Sequence, residues 1–430
     1  MRAFFIILLL TLVYLMSRLP VSMIGNLDAL QDAQALTALG FIVLAGHLIG
    51  KMLVRFRLPQ VTGYMLTGLI AGPYISGIIS QHMMERLHIV DEIALVLIAL
   101  SVGGKLKLGD LKPRFKTIFS VLCAQILIIL VFTLVVFIVA AGWLFDTEKY
   151  SILQLIAVAL TLGVMTSANS PSVAVAVITE LRAKGRLTDL VMSVTVVKDV
   201  VVIVLFTFAI AFASRVFGGS LSDVRETHQP LVIMIGMSLV FGIIGGKLLH
   251  YYLKYLKKHF EVFLILLTIL VINLVDFNAL ELLLTALTMG FVVENFSGRG
   301  EMLIKGLERI SPPIYVIFFA MAGASIDIPM MGKIGIIALL WTGFRASCLW
   351  LGTWAGLKLG KSTAEERKLA WLGYLPQAGV ELVMASIVAT SFPGWGEQMR
   401  TLVLAVVAIN LVAGPVGFRF ALVKSGEGKG

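Results

Sequence analysis

The sequence predicts an all-α polytopic membrane protein of about 13–14 transmembrane helices, in two inverted six-helix repeats with two broken crossing helices. Three observations carry this. The chain of 430 residues is 59% hydrophobic and only 14% charged. Its apolar runs reach about 20 residues, the length that crosses the hydrocarbon layer. Basic and base-poor loops alternate along the chain, as the positive-inside rule requires. An ordinary soluble globule is excluded by this composition. The formal charge of +10 is no nucleic-acid signature, because Lys and Arg lie between apolar runs, and no nucleic-acid partner is expected. Cys123 and Cys348 both fall inside apolar runs and read as packing residues, without disulfide or metal cluster.

In order, the segments lie near 3–24, 34–54, 60–80, 91–109, 117–144, 151–179, 187–214, 230–256, 260–276, 278–296, 312–328, 333–359, 367–391 and 400–422. The first, with Arg2 ahead of it, has a competing reading as a signal peptide; Arg18 and Leu19-Pro20 make a poor cleavage region and favour retention. One set of loops carries Lys51, Arg55 and Arg57, then Lys105, Lys107, Lys112, Arg114 and Lys116, Arg182 to Arg186, Lys254 to Lys258, Arg299 to Arg309, Lys361 to Lys368, and Arg419 with Lys424. The opposite loops hold only Arg86, Lys149, Arg215 with Arg225, Lys333 and Arg400. Both termini are therefore expected in the cytoplasm.

An internal echo suggests how the segments are organised. Gly103-Gly104-Lys105-Leu106-Lys107-Leu108 and Gly323-Ala324-Ser325-Ile326-Asp327-Ile328 each close an apolar run with small residues and an apolar-charged-apolar exit. Pairing the halves gives an extra first helix or signal segment with its linker over 1–33 and a first repeat over 34–214. A connector over 215–258, a second repeat over 259–424 and a short tail over 425–430 complete the chain. The offset of the halves is odd, so the repeats are inverted, an arrangement that places substrate near the bilayer midplane.

Segment six is interrupted by Thr166-Ser167-Ala168-Asn169-Ser170-Pro171-Ser172, and segment thirteen by Pro376-Gln377-Ala378-Gly379-Val380-Glu381. Proline removes a donor and blocks the preceding helical turn. Pro171, Pro376 and Gly379 are thus expected to break helices, and irregular backbone at that depth must be buried in protein or line water. Simple proline kinks patched by hydroxyls are the alternative.

Segment seven places Lys198-Asp199 in the middle of an apolar helix. An ionisable group there costs about 2.5–3.5 kcal/mol on insertion scales and usually faces a watery cavity. A carboxylate can hold a proton or an alkali cation in turn, since desolvation raises its pKa and an approaching cation lowers it. Asp199, with backbone carbonyls and the side-chain oxygens of Thr166, Ser167, Asn169 and Ser170, is the expected cation and proton site; Ser193 and Thr195 are further neighbours. Three charges are expected to tune it. Lys198 cannot face Asp199 from the adjacent helical position, and Glu381 is its expected partner, in a transport role or as a structural ion pair. Arg345 either organises carboxylates or snorkels to an interface. Glu281, Glu294 and His47 read as interfacial. There is no catalytic triad, phosphate loop or metal-ligand spacing, so neither an enzyme nor a cofactor is expected, and no metal beyond a transported monovalent cation.

Leu58-Pro59-Gln60-Val61-Thr62-Gly63-Tyr64, with Gly68 and Gly72-Pro73, resembles the opening signature of sodium/hydrogen exchanger domains of the monovalent cation:proton antiporter-2 family. Phe318-Phe319 to Ser325-Ile326-Asp327, Thr285 to Gly290, and Gly414-Pro415 with Arg419 are similar to later stretches of that family, in order. The resemblance implies a thirteen-helix core, split into a dimerisation panel and a moving transport core. It further implies exchange of Na⁺ or K⁺ for H⁺, a homodimer, and residence in the lipid bilayer of a bacterial inner membrane. It maps the family's essential aspartate onto Asp199 and its first unwound crossing onto Thr166 to Ser172. A nucleotide-binding regulatory domain is not expected. Three departures stand out: Lys198 where the family has Asp, Asn or Gln, no lysine between Pro312 and Gly323, and Asn169-Ser170-Pro171 where the related first antiporter family has Thr-Asp-Pro. The alternative they raise is a non-exchanging membrane subunit or channel-like proton sensor, with Lys198 neutralising Asp199.

Overall fold

The computed structural model describes residues 27–428 except 57, 112–113, 145–149, 218–230, 257–258, 278–279, 281, 378 and 393. The apolar segment near 3–24 and Glu281 lie outside them, as do Arg57, Lys112, Lys149, Arg225, Lys257 and Lys258. The longer helices are α1 (Leu27–Arg55), α2 (Gln60–Ala71), α3 (His88–Lys105), α4 (Phe115–Leu144), α5 (Ile152–Ser167), α6 (Pro171–Leu181) and α7 (Arg186–Val216). They continue as α8 (Leu231–Tyr255), α9 (Phe260–Phe277), α10 (Leu282–Ser297), α11 (Gly300–Ala324), α12 (Ile328–Leu359), α13 (Gly379–Ser391) and α14 (Gly396–Lys424). A 3-10 helix spans Ala370–Tyr374. No strand occurs among the described residues.

Seven spans among the described residues are long and apolar enough to cross a membrane, with α5 and α6 taken together as one. The larger number expected from apolar runs includes shorter pieces. α2 ends at Ala71 because Gly72-Pro73 follows and Pro disfavours helix in the residue before it. α11 begins at Gly300, earlier than the apolar run near 312–328, and continues through Pro312 and Pro313. Its first half carries Glu301, Lys305, Glu308 and Arg309, and hydropathy alone passes over such a stretch.

The helices fall into two groups. In one, α3 packs on α10, α2 on α11, α1 on α2, and α8 on α10. An apolar cluster with Leu97, Leu249, Leu264, Met289 and Leu303 belongs to this group. In the other, α4 packs on α12, α5 on α4 and α7, and α14 on α13 and α12. Close crossings within the first group depend on glycine. A Cβ on Gly68 would overlap the backbone of Ala320, and one on Gly323 that of Met65. Gly103 and Gly290 meet Leu287 and Leu100 in the same way. Small residues that let membrane helices approach closely are the usual means of packing without a hydrophobic driving force.

One end of the bundle gathers the basic loops. Lys107 pairs with Glu294 at 3.4 Å, Arg186 with Glu366 at 3.4 Å, and Arg114 donates to Arg186 O. At this end the Glu427 carboxylate accepts from Leu187 N and Thr188 N at 2.7 Å, capping the start of α7. A carboxylate at a helix N-terminus satisfies orphan N–H groups and complements the dipole.

Candidate functional site: two broken helices beside a buried carboxylate

α5 starts with a capping box, Ser151 and Gln154, and stops at Ser167, where Ala168 turns extended at φ −63°, ψ 150°. Three residues later α6 starts with Pro171 in its first turn and Ser170 as the N-cap, whose Oγ accepts from Val173 N. Pro at that position loses nothing, since its missing N–H would be unpaired anyway. In the later break, the 3-10 helix ends at Tyr374 with Leu375 as its cap in helical geometry, Pro376 and Gln377 belong to no helix, and α13 begins at Gly379. Both breaks come where the sequence places them. They also touch: Ser170 N donates to Pro376 O at 2.9 Å. Gly414 of α14 packs directly on Pro376, where a side chain would not fit.

Arg345 of α12 occupies the crossing. It is 0% exposed and donates to the carbonyls of Thr166, Ala168, Leu375 and Tyr374 at 2.9, 2.8, 2.9 and 3.1 Å. These carbonyls belong to the C-terminal ends of two half-helices, the negative ends of their dipoles. The guanidinium fork satisfies them from a single side chain. Snorkelling is therefore ruled out for Arg345, which organises carbonyls, not carboxylates. The carbonyls of Thr166 and Ala168, expected to serve a cation, already accept from it.

The hydroxyls expected at the site divide in the same way. Thr166 Oγ1 accepts from the Trp341 indole at 3.0 Å, Ser167 Oγ donates to Val164 O, and Ser170 Oγ lies 2.8 Å from Ser172 Oγ. Asn169 differs. Its Nδ2 donates to Thr195 Oγ1 at 3.4 Å, and its Oδ1 is buried with no hydrogen-bond partner among the described residues. Thr195 stands one turn before Asp199 on α7, so Asn169, Thr195 and Asp199 form a row. Ser193 instead bonds back to Asp189 O.

Asp199 is 8% exposed and borders a gap between the two helix groups. The gap is lined from α7 by Val196 and Ile203 and from the other group by Ile235, Leu283 and Leu287. Lys198, 0% exposed, points elsewhere: its Nζ donates to Gln125 Oε1 of α4 at 2.9 Å. Gln125 in turn donates to Thr353 Oγ1 of α12 at 2.8 Å. Glu381, 1% exposed, acts electrostatically on both Lys198 and Arg345, while the hydrogen-bonded acceptor of Lys198 is Gln125. Hydropathy reading passes over Gln125, Thr353 and the Gln377–Asn410 pair (2.8 Å), because a lone amide in an apolar run has no spacing signal. Glu294 is paired with Lys107, and His47 is exposed.

Comparison with known proteins follows the same lines. The sodium/hydrogen exchanger, transmembrane, family matches residues 39–424. The Na⁺/H⁺ antiporter NhaS4 of Synechocystis is 23% identical over 77% of this chain and 84% of its own. The Na⁺/H⁺-K⁺ antiporter GerN of Bacillus cereus is 21% identical over 88% and 94%. Two structures of the sodium proton antiporter MjNhaP1 from Methanocaldococcus jannaschii, 18% and 19% identical, superpose with TM-scores of 0.63 and 0.70. Each covers 91% of this chain and 96% of the other, which shows a shared fold. With this match over nearly its whole described length, the chain is an integral membrane protein of the sodium/hydrogen exchanger family.

Proposed function

We propose that the protein is a secondary-active antiporter that exchanges Na⁺ or K⁺ for H⁺ by alternating access, with Asp199 holding the cation and the proton in turn. The observation that carries this reading is the row Asn169, Thr195 and Asp199, set beside two touching helix breaks and at the boundary between two helix groups. An ionised Asp199 and the spare Asn169 oxygen offer the oxygen ligands an alkali cation needs. Protonation of Asp199 removes that charge, so cation and proton compete for one group. Arg345 keeps the half-helix ends closed without spending the carboxylate. Lys198, drawn to Gln125, places its charge on the α4 side of α7, which favours exchange over permanent neutralisation of Asp199.

Packing supports the inverted repeats. Counting α5 with α6 as one unit, and the 3-10 helix with α13 as another, α8 becomes the connector. The pairs α2 with α11 and α3 with α10 then exchange, as do α1 with α11 and α9 with α3. In this reading α4 to α7 and α12 to α14 form the core that moves against the others. The basic end faces the cytoplasm of a bacterial inner membrane, and a homodimer forms through the panel. GerN, named for both Na⁺ and K⁺, keeps either cation open as the substrate.

Everted vesicles loaded with a pH-sensitive dye test the reading. Addition of Na⁺ or K⁺ should dequench the dye with the unmodified chain, and Asp199→Asn should abolish the response. An unmodified chain that stays silent for both cations across pH refutes exchange and leaves the partner-subunit alternative. A reporter fused to the C-terminus that reads as extracytoplasmic refutes the orientation.

A further inference from the structure

Two polar ties between the helix groups meet on the last turn of α6. Glu180 accepts the backbone N–H of Gln60, the first residue of α2, with both oxygens at 2.9 and 2.8 Å, and also that of Val61. On the adjacent residue, Thr179 Oγ1 accepts from Lys105 Nζ at the end of α3, at 3.2 Å. α6 belongs to the group that holds Asp199, whereas α2 and α3 belong to the other. Arg419 of α14 approaches Glu180 Oε1 to 3.7 Å from the core side. A carboxylate is thus fixed by its own group and caps a helix of the opposing one.

Its position is as informative as its bonds. Glu180, Thr179 and Gln60 line an open vestibule of about 210 Å³, with Ala176, Glu308 and Tyr315 further along its wall. A displacement of α6 along α2 moves the carboxylate away from the α2 N-terminus and so breaks this tie between the two walls of the vestibule. A cap made by hydrogen bonds at 2.8 and 2.9 Å is directional and is lost over a short displacement, whereas apolar contacts slide.

We infer that Glu180 is a core-to-panel latch, which holds the vestibule open by capping α2 and must let go each time the core moves. This rests on the alternating-access reading above. Glu180 touches no reacting group and acts as a positioning residue: it biases which face of the transporter is open. A charge-assisted cap of this kind is worth about tenfold or more in an equilibrium constant.

The test uses the full chain in nanodiscs, with Cys123 and Cys348 replaced by Ala and a single cysteine introduced by Ala176→Cys. Thiol labelling then reports how much of the population has the vestibule open. Glu180→Ala should lower the labelling rate by about tenfold. Gln60→Pro provides an independent check, since proline is favoured at the first helical position and Pro59 before it already has extended backbone. That substitution removes the donated N–H, leaves the carboxylate in place, and should shift labelling in the same direction. Combined with Glu180→Ala it should add little. If both variants label within twofold of the background, Glu180 is an ordinary helix cap and the latch is refuted, even if amide exchange at the start of α2 rises. If Glu180→Ala does not fold, Gln60→Pro alone decides. Dye dequenching of the unmodified chain is scored separately, so a shift in labelling without any exchange would overturn the transport reading and spare the latch.

Discussion

Arg345 makes the strongest quantitative demand on the site. Its guanidinium satisfies four buried carbonyls from two different helix breaks; the Gln377 amide, which donates to Ala168 O at 3.4 Å, is a second and longer tie between them. Hydrogen bonds to a charged group contribute about 1.5–3 kcal/mol each, so four give about 6 kcal/mol and at most about 12 kcal/mol. Part of this is offset, because the guanidinium is desolvated at a cost of several kcal/mol. Arg345→Met leaves four carbonyls without a donor and should destabilise by about 3–5 kcal/mol, the usual result of breaking a buried charged cluster. Arg345→Lys supplies three donors that radiate from a point and should cost about 1–3 kcal/mol. Cys348, 4% exposed and one turn along the same helix, offers a direct assay. In a Cys123→Ala background its labelling rate at fixed temperature measures opening of α12. At about 1.4 kcal/mol per tenfold, Arg345→Met should accelerate labelling by about two to three and a half orders of magnitude and Arg345→Lys by about one to two. Equal labelling of both variants, within threefold of the unmodified residue, would refute the clamp.

Three further outcomes are expected. Gln125→Leu removes the acceptor of the buried Lys198 ammonium and should cost about 1–3 kcal/mol, whereas the double change Gln125→Leu with Lys198→Met should recover much of it; thermal unfolding of the four proteins checks this. Asn169→Ala deletes the spare buried oxygen and should weaken the apparent affinity for the transported cation by about tenfold in the dequenching assay, with less effect on stability. Gly68→Ala forces a methyl into the Ala320 backbone and should cost about 1–3 kcal/mol or block assembly, while Gly335→Ala, where a methyl meets open space, should be neutral or stabilising by about 0.5–1 kcal/mol; the yield of folded protein distinguishes them.

The helix breaks at 168–170 and 375–377 were legible from the chain because Pro171, Pro376 and Gly379 act through local backbone physics, within one turn of themselves. Asp199 was legible for a related reason: a charge inside an apolar run is anomalous whatever surrounds it. Arg345 was legible as an anomaly but not as a clamp. A guanidinium far from its partners in sequence finds its acceptors only once α12 has packed on the rest, 177 residues from Ala168 and 29 from Tyr374. Lys198 shows the same limit. Glu381 is an electrostatic neighbour, yet the hydrogen bond goes to a glutamine on α4, and an uncharged amide raises no signal in a charge pattern.

By itself the sequence determined the membrane-spanning class, the order of apolar segments, the two interruptions and the presence of Asp199 inside an apolar run, since each is set by composition or by backbone geometry over a few residues. Tertiary structure alone decided which half-helix meets which, that Arg345 closes them, and that Thr166, Ser167 and Ser170 turn their hydroxyls to protein partners while Asn169 keeps an oxygen. Those outcomes are decided by which donors and acceptors become neighbours when distant helices pack, and a buried polar group takes whichever partner the packing brings within hydrogen-bond reach.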